Sequence, residues 1–484
     1  MSNSLKNSAI SGFTWKTAER GLAEILQFFI GIVLARLLSP SDYGTVGLLA
    51  IFFAVAHIFQ DSGFGSALIQ KKDRTQEDFS TVFFFNVAMS LVIYAIMYIA
   101  SPYIAKFYRV PLLEDLTRVS ALSFIIGGLT GVQYAKLTAE MKFRTISILS
   151  IFGQIVTGVT GIILALLGWG VWALVFQGLI GSLIKGVAVW YVSKWHPSLI
   201  FSKKSFKQLF SFGSNLMLSG IVNTIYNNIY TLVIGRVFNP KLVGFYNRAN
   251  GYAMIPTNLL LSTVVSVTYP ILSTIQDDNE KLKRAYRKML EVPLYVHYPC
   301  LIGIAVVAAP LIEVMIGKKW LPCVPMLQIL CIGGLFVPLT HINLNLLYVK
   351  GRSDLVLKLE FIKKPIAFAI LFGSIPFGIM YMVAGRALYS IIGFGINCYY
   401  TQKILNYGIK EQILVLLPII RNTLAMAFVS WVSMYFIENV YLKLFVGIFS
   451  GIISYLLISI ITKDHCFYEI KAIVQERVFS KLKK

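Results

Sequence analysis

The stretch TISILSIFGQIVTGVTGIILALLGWGVWALVFQGLIGSLI, residues 145–184, contains no charged side chain in 40 consecutive positions. A helix that spans a bilayer needs about 20 apolar residues, so this stretch is long enough for two spans joined by the turn LGWGVW at 167–172. Strands of a membrane barrel would instead alternate polar and apolar residues in segments of about ten. The stretch therefore predicts a hairpin of two membrane helices.

The composition of the whole chain agrees with this prediction. Of its 484 residues 57% are hydrophobic and 14% are charged, with a mean hydropathy of +0.71, whereas soluble domains carry about 25% charged residues. The first residues lack the plan of a cleaved signal peptide, so the first helix is expected to remain as a span. Apolar runs bounded by charges or Pro/Gly clusters predict an all-α polytopic membrane protein with fourteen spans, at 11–38, 44–69, 79–101, 116–138, 145–167, 170–193, 209–235, 245–270, 287–315, 322–348, 355–378, 381–402, 412–437 and 441–462.

The basic residues are distributed unequally between the two predicted sides of the membrane. If the N-terminus is cytoplasmic, the connections and ends on that side hold 29 Lys and Arg, against 10 on the opposite side. This asymmetry predicts that both termini are cytoplasmic and that the number of spans is even. The net charge of +22 does not indicate nucleic-acid binding, because the charges lie between apolar spans. The basic amphipathic connections 198–213 and 275–290 are expected to lie among the headgroups of anionic lipids.

A short motif occurs twice, as RLLSPSDYG at 36–44 and RVFNPKLVG at 236–244. Six predicted spans separate the copies, so both face the same side of the membrane and predict two parallel six-helix lobes. The predicted domains are an N-terminal lobe (1–197), an amphipathic linker (198–208), a C-terminal lobe (209–403), two appended helices (404–462) and a basic tail (463–484). In each copy the proline is expected to stop a helix and the glycine to permit the turn, which predicts a pair of hinges built from Arg36, Pro40, Gly44, Arg236, Pro240 and Gly244.

Polar side chains repeat at helical spacing within two equivalent spans. The first span carries Lys16, Arg20, Glu24 and Gln27, and the seventh carries Asn215, Ser219, Asn223 and Asn227. A shift of 200 residues places the second stripe within one residue of the first, as expected for symmetry-related walls of one cavity. Ionisable groups within a span are costly and mark functional sites, although snorkelling toward the cytoplasm is an alternative for Lys16 and Arg20.

Two further features concern ion coupling and catalysis. His57 and Asp61 share a helical face, either as a proton-coupling pair or as a structural pair. The chain contains no GxxxxGK[ST], HExxH or GxSxG motif and no CxxC pair. We therefore expect no enzymatic activity, no cofactor and no metal, with energy taken from an ion gradient, the membrane potential or downstream consumption of the cargo. The five cysteines are expected to be packing residues.

Several segments resemble the bacterial polysaccharide-transporter family of the multidrug/oligosaccharidyl-lipid/polysaccharide exporter superfamily. Besides the first motif copy, they are QDSGFG (60–65), LGWGVWALV (167–175), NPKLVGFYNRA (239–249), YPILSTIQDDNEKLKRAYRK (269–288), GKKWLPCVPMLQIL (317–330) and GRSD (351–354). The resemblance covers nearly the whole chain and is nearest to O-antigen and colanic-acid-type flippases. It implies two lobes around a central cavity, alternating access, and export of undecaprenyl-pyrophosphate-linked oligosaccharide across the bacterial inner (plasma) membrane. We further expect a monomer, with a polysaccharide polymerase and chain-length machinery as partners.

The resemblance also suggests cargo contacts. Superfamily relatives that flip lipid-linked precursors place cavity arginines in their first, second and eighth helices, which favours Arg20 and Arg248 as phosphate contacts. The second helix has no arginine here, so a three-arginine scheme does not transfer. In the eleventh span Glu360 is spaced to pair with Lys364, which leaves Lys363 on another face for a cargo contact, with structural pairing as the alternative.

Two other functions remain open from the sequence. A cation-coupled antiporter of small molecules would have the same general fold but twelve spans. A membrane-embedded polysaccharide polymerase or ligase would carry a large outer loop, which is absent from the predicted topology.

Overall fold

The computed structural model describes residues 3–61, 63–71, 73–203, 205–206 and 224–482, and these residues contain no β-strand. They form two compact units, Met1–Gly244 and Phe245–Lys484. The predicted all-α membrane class is therefore confirmed. The boundary between the units falls inside a helix at Gly244, not within the predicted linker 198–208, and the predicted domain limits stay predictions.

The first unit is an array of long helices. They are α1 (Asn3–Leu37), α2 (Pro40–Asp61), the short α3 (Phe64–Gln70), α4 (Gln76–Tyr108), α5 (Leu113–Ala139), α6 (Phe143–Leu166), α7 (Val171–Ser193), α8 (224–237) and the beginning of α9 (Pro240–Thr274). The hairpin predicted from residues 145–184 is present as α6 and α7. Its turn depends on Gly168 and Gly170, whose φ angles of +80° and +52° suit residues without a Cβ.

Small residues allow the helices of this unit to approach closely. In α5, α6 and α7 a Cβ added to Gly128, Gly158 or Gly181 would collide with a side chain of a neighbouring helix. Lipid tails are as apolar as leucine, so association of membrane helices depends on such close packing rather than on the hydrophobic effect. The glycines therefore fix which helix faces pair.

Both copies of the repeated motif begin a helix. Ser39 caps α2: its N–H and hydroxyl donate to the Asp42 carboxylate at 2.8 and 2.7 Å, and the Asp42 N–H donates to the Ser39 hydroxyl at 3.2 Å. In the second copy the Leu242 N–H donates to the side-chain oxygen of Asn239 at 3.0 Å. The prolines therefore occupy the first helical position, where their missing N–H costs nothing.

The hinge prediction needs a correction at Gly44 and Gly244. Both glycines lie inside a helix, one turn after Pro40 or Pro240, and neither forms the turn between helices. A Cβ on Gly44 would overlap the Pro240 carbonyl, and a Cβ on Gly244 would overlap the Pro40 carbonyl. The two copies thus contact each other backbone to backbone, and this reciprocal contact is the physical reason for glycine at both positions.

The second unit continues α9 and contains most of the remaining helices. They are α10 (Asn279–Val306), α11 (Ala308–Ile316), α12 (Val324–Gly334), α13 (Val337–Val349), α14 (Ser353–Ser374), α15 (Ile379–Leu405), α16 (Ile409–Tyr435), α17 (Val440–Ile461) and α18 (His465–Leu482). The tenth predicted span is broken at 335–336, between α12 and α13. The ninth predicted span changes direction at Val307, between α10 and α11.

Each of the fourteen predicted spans overlaps a described helix. Within the described ranges, nine helical stretches are long and apolar enough to cross a membrane by length and hydropathy alone. The other five predicted spans correspond to α1, α5, α8, α9 and α14, whose described sequences are more polar or shorter. The count of fourteen agrees with the structure but stays a prediction.

The connection 275–290 is not a surface helix lying on lipid, as its amphipathic pattern predicts. From Asn279 onward it forms the first turns of α10, and Leu282, Tyr286 and Leu290 are fully buried among side chains of α15 and α16. The apolar face of this amphipathic segment is covered by protein, so acyl chains are not needed to cover it. The connection 198–213 lies largely outside the described residues.

The predicted basic tail includes a docked helix, α18. The buried Asp464, which precedes it, accepts a hydrogen bond from the Asn422 amide of α16 at 3.0 Å. Within α18, the Glu469 carboxylate pairs with the Lys288 ammonium of α10 at 2.6 Å. These contacts join the C-terminal helix to the second unit.

A buried polar network joins α13, α15 and α16. The Thr401 hydroxyl and the Gln412 amide donate to the Asn343 side-chain oxygen at 2.6 and 3.1 Å, and the Asn343 amide donates back to Gln412 at 3.1 Å. All three side chains are fully buried. Their hydrogen bonds fix the register of these helices, because a shift would leave buried polar atoms unsatisfied.

The reciprocal glycine contact predicts the effect of a single methyl group. Gly→Ala normally stabilises a helix by about 1 kcal/mol. We expect Gly44→Ala and Gly244→Ala instead to lower the melting temperature of the purified protein, because the methyl group overlaps a carbonyl of the other copy. Gly251→Ala in α9, where an added Cβ meets nothing within 4 Å, is the matched control and is expected to be neutral or stabilising. Equal melting temperatures for all three variants would contradict the reciprocal contact.

Candidate functional site

One face of α1 presents charged and polar side chains that none of the described helices covers. Arg20, Glu24 and Gln27 are all exposed, and neither Arg20 nor Glu24 forms an ion pair with a described side chain. Lys16 also lies in α1, but its side chain is outside the described residues. The structure thus places three of the four predicted residues on one open polar face.

An adjacent side of α1 is attached to α6 by polar contacts. The Ser147 hydroxyl donates to the Glu19 carboxylate at 2.8 Å, and the Gln154 amide donates to the Ala23 carbonyl at 2.9 Å. Glu19 is half-buried. These bonds hold α1 against α6, whereas Arg20 and Glu24, about 100° further round the helix, remain exposed.

The predicted stripe of the seventh span is described at one position only. Asn227 is exposed in α8, whereas Asn215 and Asn223 lie outside the described residues. The candidate coupling residues His57 and Asp61 are both exposed on α2, and the His57 ring lies 4.9 Å from the Phe124 ring. The predicted equivalence of the two stripes stays a prediction.

In the second unit, Arg248 lies beside an aromatic side chain near the start of α9. Its guanidinium is 5.7 Å from the centroid of the fully buried Trp320 ring. Nearby in the sequence, Tyr246 accepts a hydrogen bond from Arg386, whose guanidinium is also 5.7 Å from the Tyr246 ring. Both arginines are half-buried, so aromatic packing holds each stem while part of the guanidinium remains accessible.

Arg236, the predicted hinge arginine of the second copy, is also placed by an aromatic ring. Its guanidinium lies 5.3 Å from the Phe107 ring at the end of α4. Arg236 thus packs on an aromatic face in the first unit.

Lys363 does not lie on a face separate from Glu360, as its spacing predicts. Its Nζ is 2.5 Å from one oxygen of the Glu360 carboxylate, and the Lys364 Nζ is 3.4 Å from the other oxygen. The side chain of Lys363 is only 4% exposed, against 27% for Lys364. One carboxylate therefore serves two lysines, because the i, i+3 and i, i+4 positions of a helix face the same side.

Sequence reasoning missed several interactions of ionisable residues. Glu19 pairs with Ser147, Arg386 with Tyr246, and the Lys185 ammonium lies 5.7 Å from the Tyr134 ring. Each partner is on a helix distant in sequence, so spacing along one helix carries no signal for it. Gly153 leaves room for the aliphatic stem of Lys185.

The remaining features concern metals and apolar space. Among the described residues no group of three or more His, Cys, Asp or Glu side chains could hold a metal ion. An apolar groove of about 790 Å³ lies between α2, α4 and α8, and another of about 770 Å³ lies between α10, α16 and α17. Four cysteines are buried, whereas Cys300 is exposed in the second groove. Such surfaces suit hydrocarbon chains rather than a polar ligand.

Known proteins resemble this chain in sequence and in fold. The family model described as polysaccharide biosynthesis protein matches residues 33–325. The teichuronic acid biosynthesis protein of Bacillus subtilis (strain 168) is 28% identical over 466 residues, 94% of this chain and 96% of that protein. The succinoglycan biosynthesis transport protein of Rhizobium meliloti (strain 1021) is 28% identical over 316 residues, 65% of this chain and 64% of that protein. A solved structure of a lipid II flippase, in an inward closed conformation, has the same fold, with a TM-score of 0.74 and 19% identity over 93% of this chain and 98% of that one.

The pairing of Lys363 predicts how its carboxylate partner contributes to stability. Glu360→Gln leaves a buried ammonium without its carboxylate, and removing one partner of a buried pair costs about 3–5 kcal/mol. We therefore expect a large loss of folded protein in membranes and a lower melting temperature. The double variant Glu360→Gln, Lys363→Met removes both charges and is expected to restore much of the stability. A double variant as unstable as the single one would argue against the ion pair as the cause.

Proposed function

Because this chain belongs to the polysaccharide biosynthesis protein family, we propose that it is a transporter of lipid-linked oligosaccharide. It moves undecaprenyl-pyrophosphate-linked repeat units from the cytoplasmic to the outer leaflet of the bacterial plasma membrane by alternating access, for assembly of a surface polysaccharide. Two similarities support this proposal: one relative is named a transport protein, and the fold is shared with a protein named a lipid flippase.

The observation that carries the proposal is the open polar face of α1. A charged side chain exposed to hydrocarbon is costly, and intramembrane charges usually face a water-filled path or a partner. Arg20 and Glu24 are exposed without an ion-pair partner among the described side chains, on a helix expected to span the membrane. A polar route beside α1 for a pyrophosphate and its sugars explains this arrangement, whereas an apolar cargo would not need it.

Within this function we assign the phosphate contacts to Arg20 and Arg248. Arginine presents several donors in a planar fork that matches phosphate oxygens. Trp320 supports the Arg248 side chain from one side, which reduces the conformational freedom lost when a phosphate binds. Glu24, Gln27 and Asn227 are the exposed polar groups assigned to the sugar hydroxyls, and Lys16, Asn215 and Asn223 are further candidates. Lys363, buried against Glu360, acts on cargo only if the helices around it move.

The orientation and partners follow from the charge distribution. The positive-inside asymmetry supports cytoplasmic positions for both termini, with the basic connections attracted to anionic lipids. A monomer is sufficient for the proposed transport. Delivery of repeat units to a polymerase on the outer side would place the protein beside the polymerase and its chain-length machinery.

Deletion of the gene tests the transport function directly. We expect loss of the surface polysaccharide and accumulation of single lipid-linked repeat units on the cytoplasmic side of the membrane. Vesicles containing the purified protein should expose fluorescent undecaprenyl-pyrophosphate-linked oligosaccharide to an external quencher, and protein-free vesicles should not. Polymerised chains accumulating on the outer surface of the deletion strain would instead place the protein after polymerisation.

The two arginines give a sharper prediction. Arg20→Ala and Arg248→Ala are each expected to reduce the initial rate of flipping about tenfold or more, since a charge-assisted hydrogen bond is worth about 1.5–3 kcal/mol. Arg352→Ala is the matched control: Arg352 is exposed and bonds Asp354, and this bond holds the pKa of Asp354 below its usual value. Membrane levels are measured for all three. Wild-type rates in both arginine variants would remove them as phosphate contacts.

A further inference from the structure

A buried histidine in the second unit is bonded at a break between two helices. The Gly334 carbonyl at the end of α12 would normally accept from the N–H four residues later, but that residue is Pro338, which has no N–H. The Nε2 of His297, on α10, lies 3.3 Å from the Gly334 oxygen instead. His297 is 2% exposed, so it takes the place of the missing backbone donor inside the protein.

This contact fixes the protonation of the ring. A carbonyl oxygen only accepts hydrogen bonds, so Nε2 must carry the proton, and Nδ1 of a neutral ring then carries a lone pair. Nδ1 is buried and has no hydrogen-bond partner. The ring therefore has one nitrogen engaged in the fold and one free to take a proton.

A second unsatisfied polar atom lies beside the same glycine. The hydroxyl oxygen of Thr257, on α9, is buried without a partner, and the side chain is fully buried. A Cβ built on Gly334 would lie 3.9 Å from this oxygen and 3.0 Å from Cδ1 of Leu301, so the hydroxyl lies close to the helix break. Buried polar atoms are nearly always hydrogen-bonded, so two orphans flanking one glycine indicate a place where a proton or a water molecule is exchanged.

In the part of the chain that the structure describes, no charged group forms an ion pair with His297. The ring is 2% exposed, and its one hydrogen bond with a described residue is to the Gly334 carbonyl. The ionisable residues of α10 and of the helices packed against it include Glu291, Glu313, Cys331, His341, Lys403, Arg421 and Tyr455, with Asp464 immediately before α18. None of these forms a hydrogen bond or an ion pair with the ring. A lone buried charge is unstable in apolar surroundings, so the ring is neutral here, and the imidazolium needs a conformation that admits water or an anion.

From this geometry we propose that His297 is a proton-binding site that couples cargo transport to a pH gradient. This proposal rests on the proposed transport function. In a conformation that admits water to the α9–α10–α12 junction, Nδ1 accepts a proton from water and the ring becomes an imidazolium. That water comes from one side of the membrane, and the proton leaves when the junction opens to the other side and the ring returns to its neutral form, so one proton crosses per cycle. Protonation and conformation are linked because the two states differ in their affinity for the proton.

A sodium ion fits this junction less well than a proton. Its oxygen ligands would be the Thr257 hydroxyl and the Gly334 carbonyl, and the carbonyl already accepts from His297. No described carboxylate acts on the ring, and hard cations prefer several oxygen ligands with carboxylates among them. The lone pair on Nδ1 binds a proton directly.

Transport by vesicles under separate gradients tests the site. Wild-type protein and variants are reconstituted with fluorescent undecaprenyl-pyrophosphate-linked oligosaccharide, with the membrane potential clamped at zero. With one proton per cycle, a pH difference of one unit is expected to change the ratio of cargo between leaflets about tenfold, which equals about 1.4 kcal/mol. His297→Gln keeps an N–H donor for Gly334 but cannot titrate, so its ratio should no longer respond to pH.

Two further histidine variants and a sodium gradient serve as controls for this site. His196→Gln, on an exposed histidine outside the spans, should keep the wild-type response. The proposal is overturned if His297→Gln keeps the response, if His57→Gln abolishes it in place of His297→Gln, or if a sodium gradient replaces the pH gradient. Wild-type vesicles that do not flip cargo under any gradient would contradict the proposed function itself, whereas flipping without a pH response would contradict only the proton site.

A spectroscopic measurement tests the geometry without transport. In protein labelled with ¹⁵N-histidine, the signal that His297→Gln removes should report a neutral ring with its proton on Nε2 at neutral pH. Thr257→Val, which keeps the side-chain shape, should leave this tautomer unchanged but weaken the pH response of transport. A proton on Nδ1, or a charged ring, would overturn the assignment.

Discussion

A bilayer offers no water to hydrogen-bond the polar groups of a chain that crosses it, so the protein must satisfy those groups itself. The described backbone meets this constraint by being helical. Side chains that are polar and buried meet it in pairs or networks: Asn343 with Gln412 and Thr401, and Lys363 with Glu360. The Asn343 network joins three helices and so helps to determine which of their faces meet, whereas the Lys363–Glu360 pair lies within α14.

Because polar groups within a bilayer must be satisfied by the protein, polar side chains without a partner are informative. Arg20 and Glu24 lie open on α1 without an ion pair among the described side chains, and His297 and Thr257 carry buried atoms without partners. In a soluble protein an exposed charge is ordinary, whereas on a helix expected to span the membrane it requires a polar environment. The proposed cargo path therefore runs beside the exposed charges, and the proposed proton site lies at the buried atoms without partners.

The positions of the helices could be predicted from the sequence because apolar runs and their interruptions are local properties. Interactions between distant segments could not. A lone glycine after a proline is typical of a turn, so the sequence predicts turns at Gly44 and Gly244. Only the structure shows that each glycine contacts the backbone of the other motif copy. The segment 275–290 has the pattern of a surface helix, since an apolar face looks the same whether lipid or protein covers it.

Proline shows how one covalent feature has different consequences at different places. At Pro40 and Pro240 the missing N–H falls at a helix start, where no bond is lost. Inside helices a proline frees a carbonyl four residues earlier. At two such places a side chain supplies the donor: the Ser101 hydroxyl to Tyr98 ahead of Pro102, and the Tyr455 hydroxyl to Tyr295 ahead of Pro299.

The Gly334 carbonyl, which Pro338 leaves without a backbone donor, differs from the carbonyls of Tyr98 and Tyr295 in the side chain that donates to it. Hydroxyl groups satisfy the other two carbonyls and stay neutral at every physiological pH. The Gly334 carbonyl is bonded by an imidazole, the side chain whose ordinary pKa lies in that range. The hydrogen bond that replaces the missing backbone donor at this break thus places a proton acceptor inside the membrane. For that reason we assign the proposed coupling site to His297.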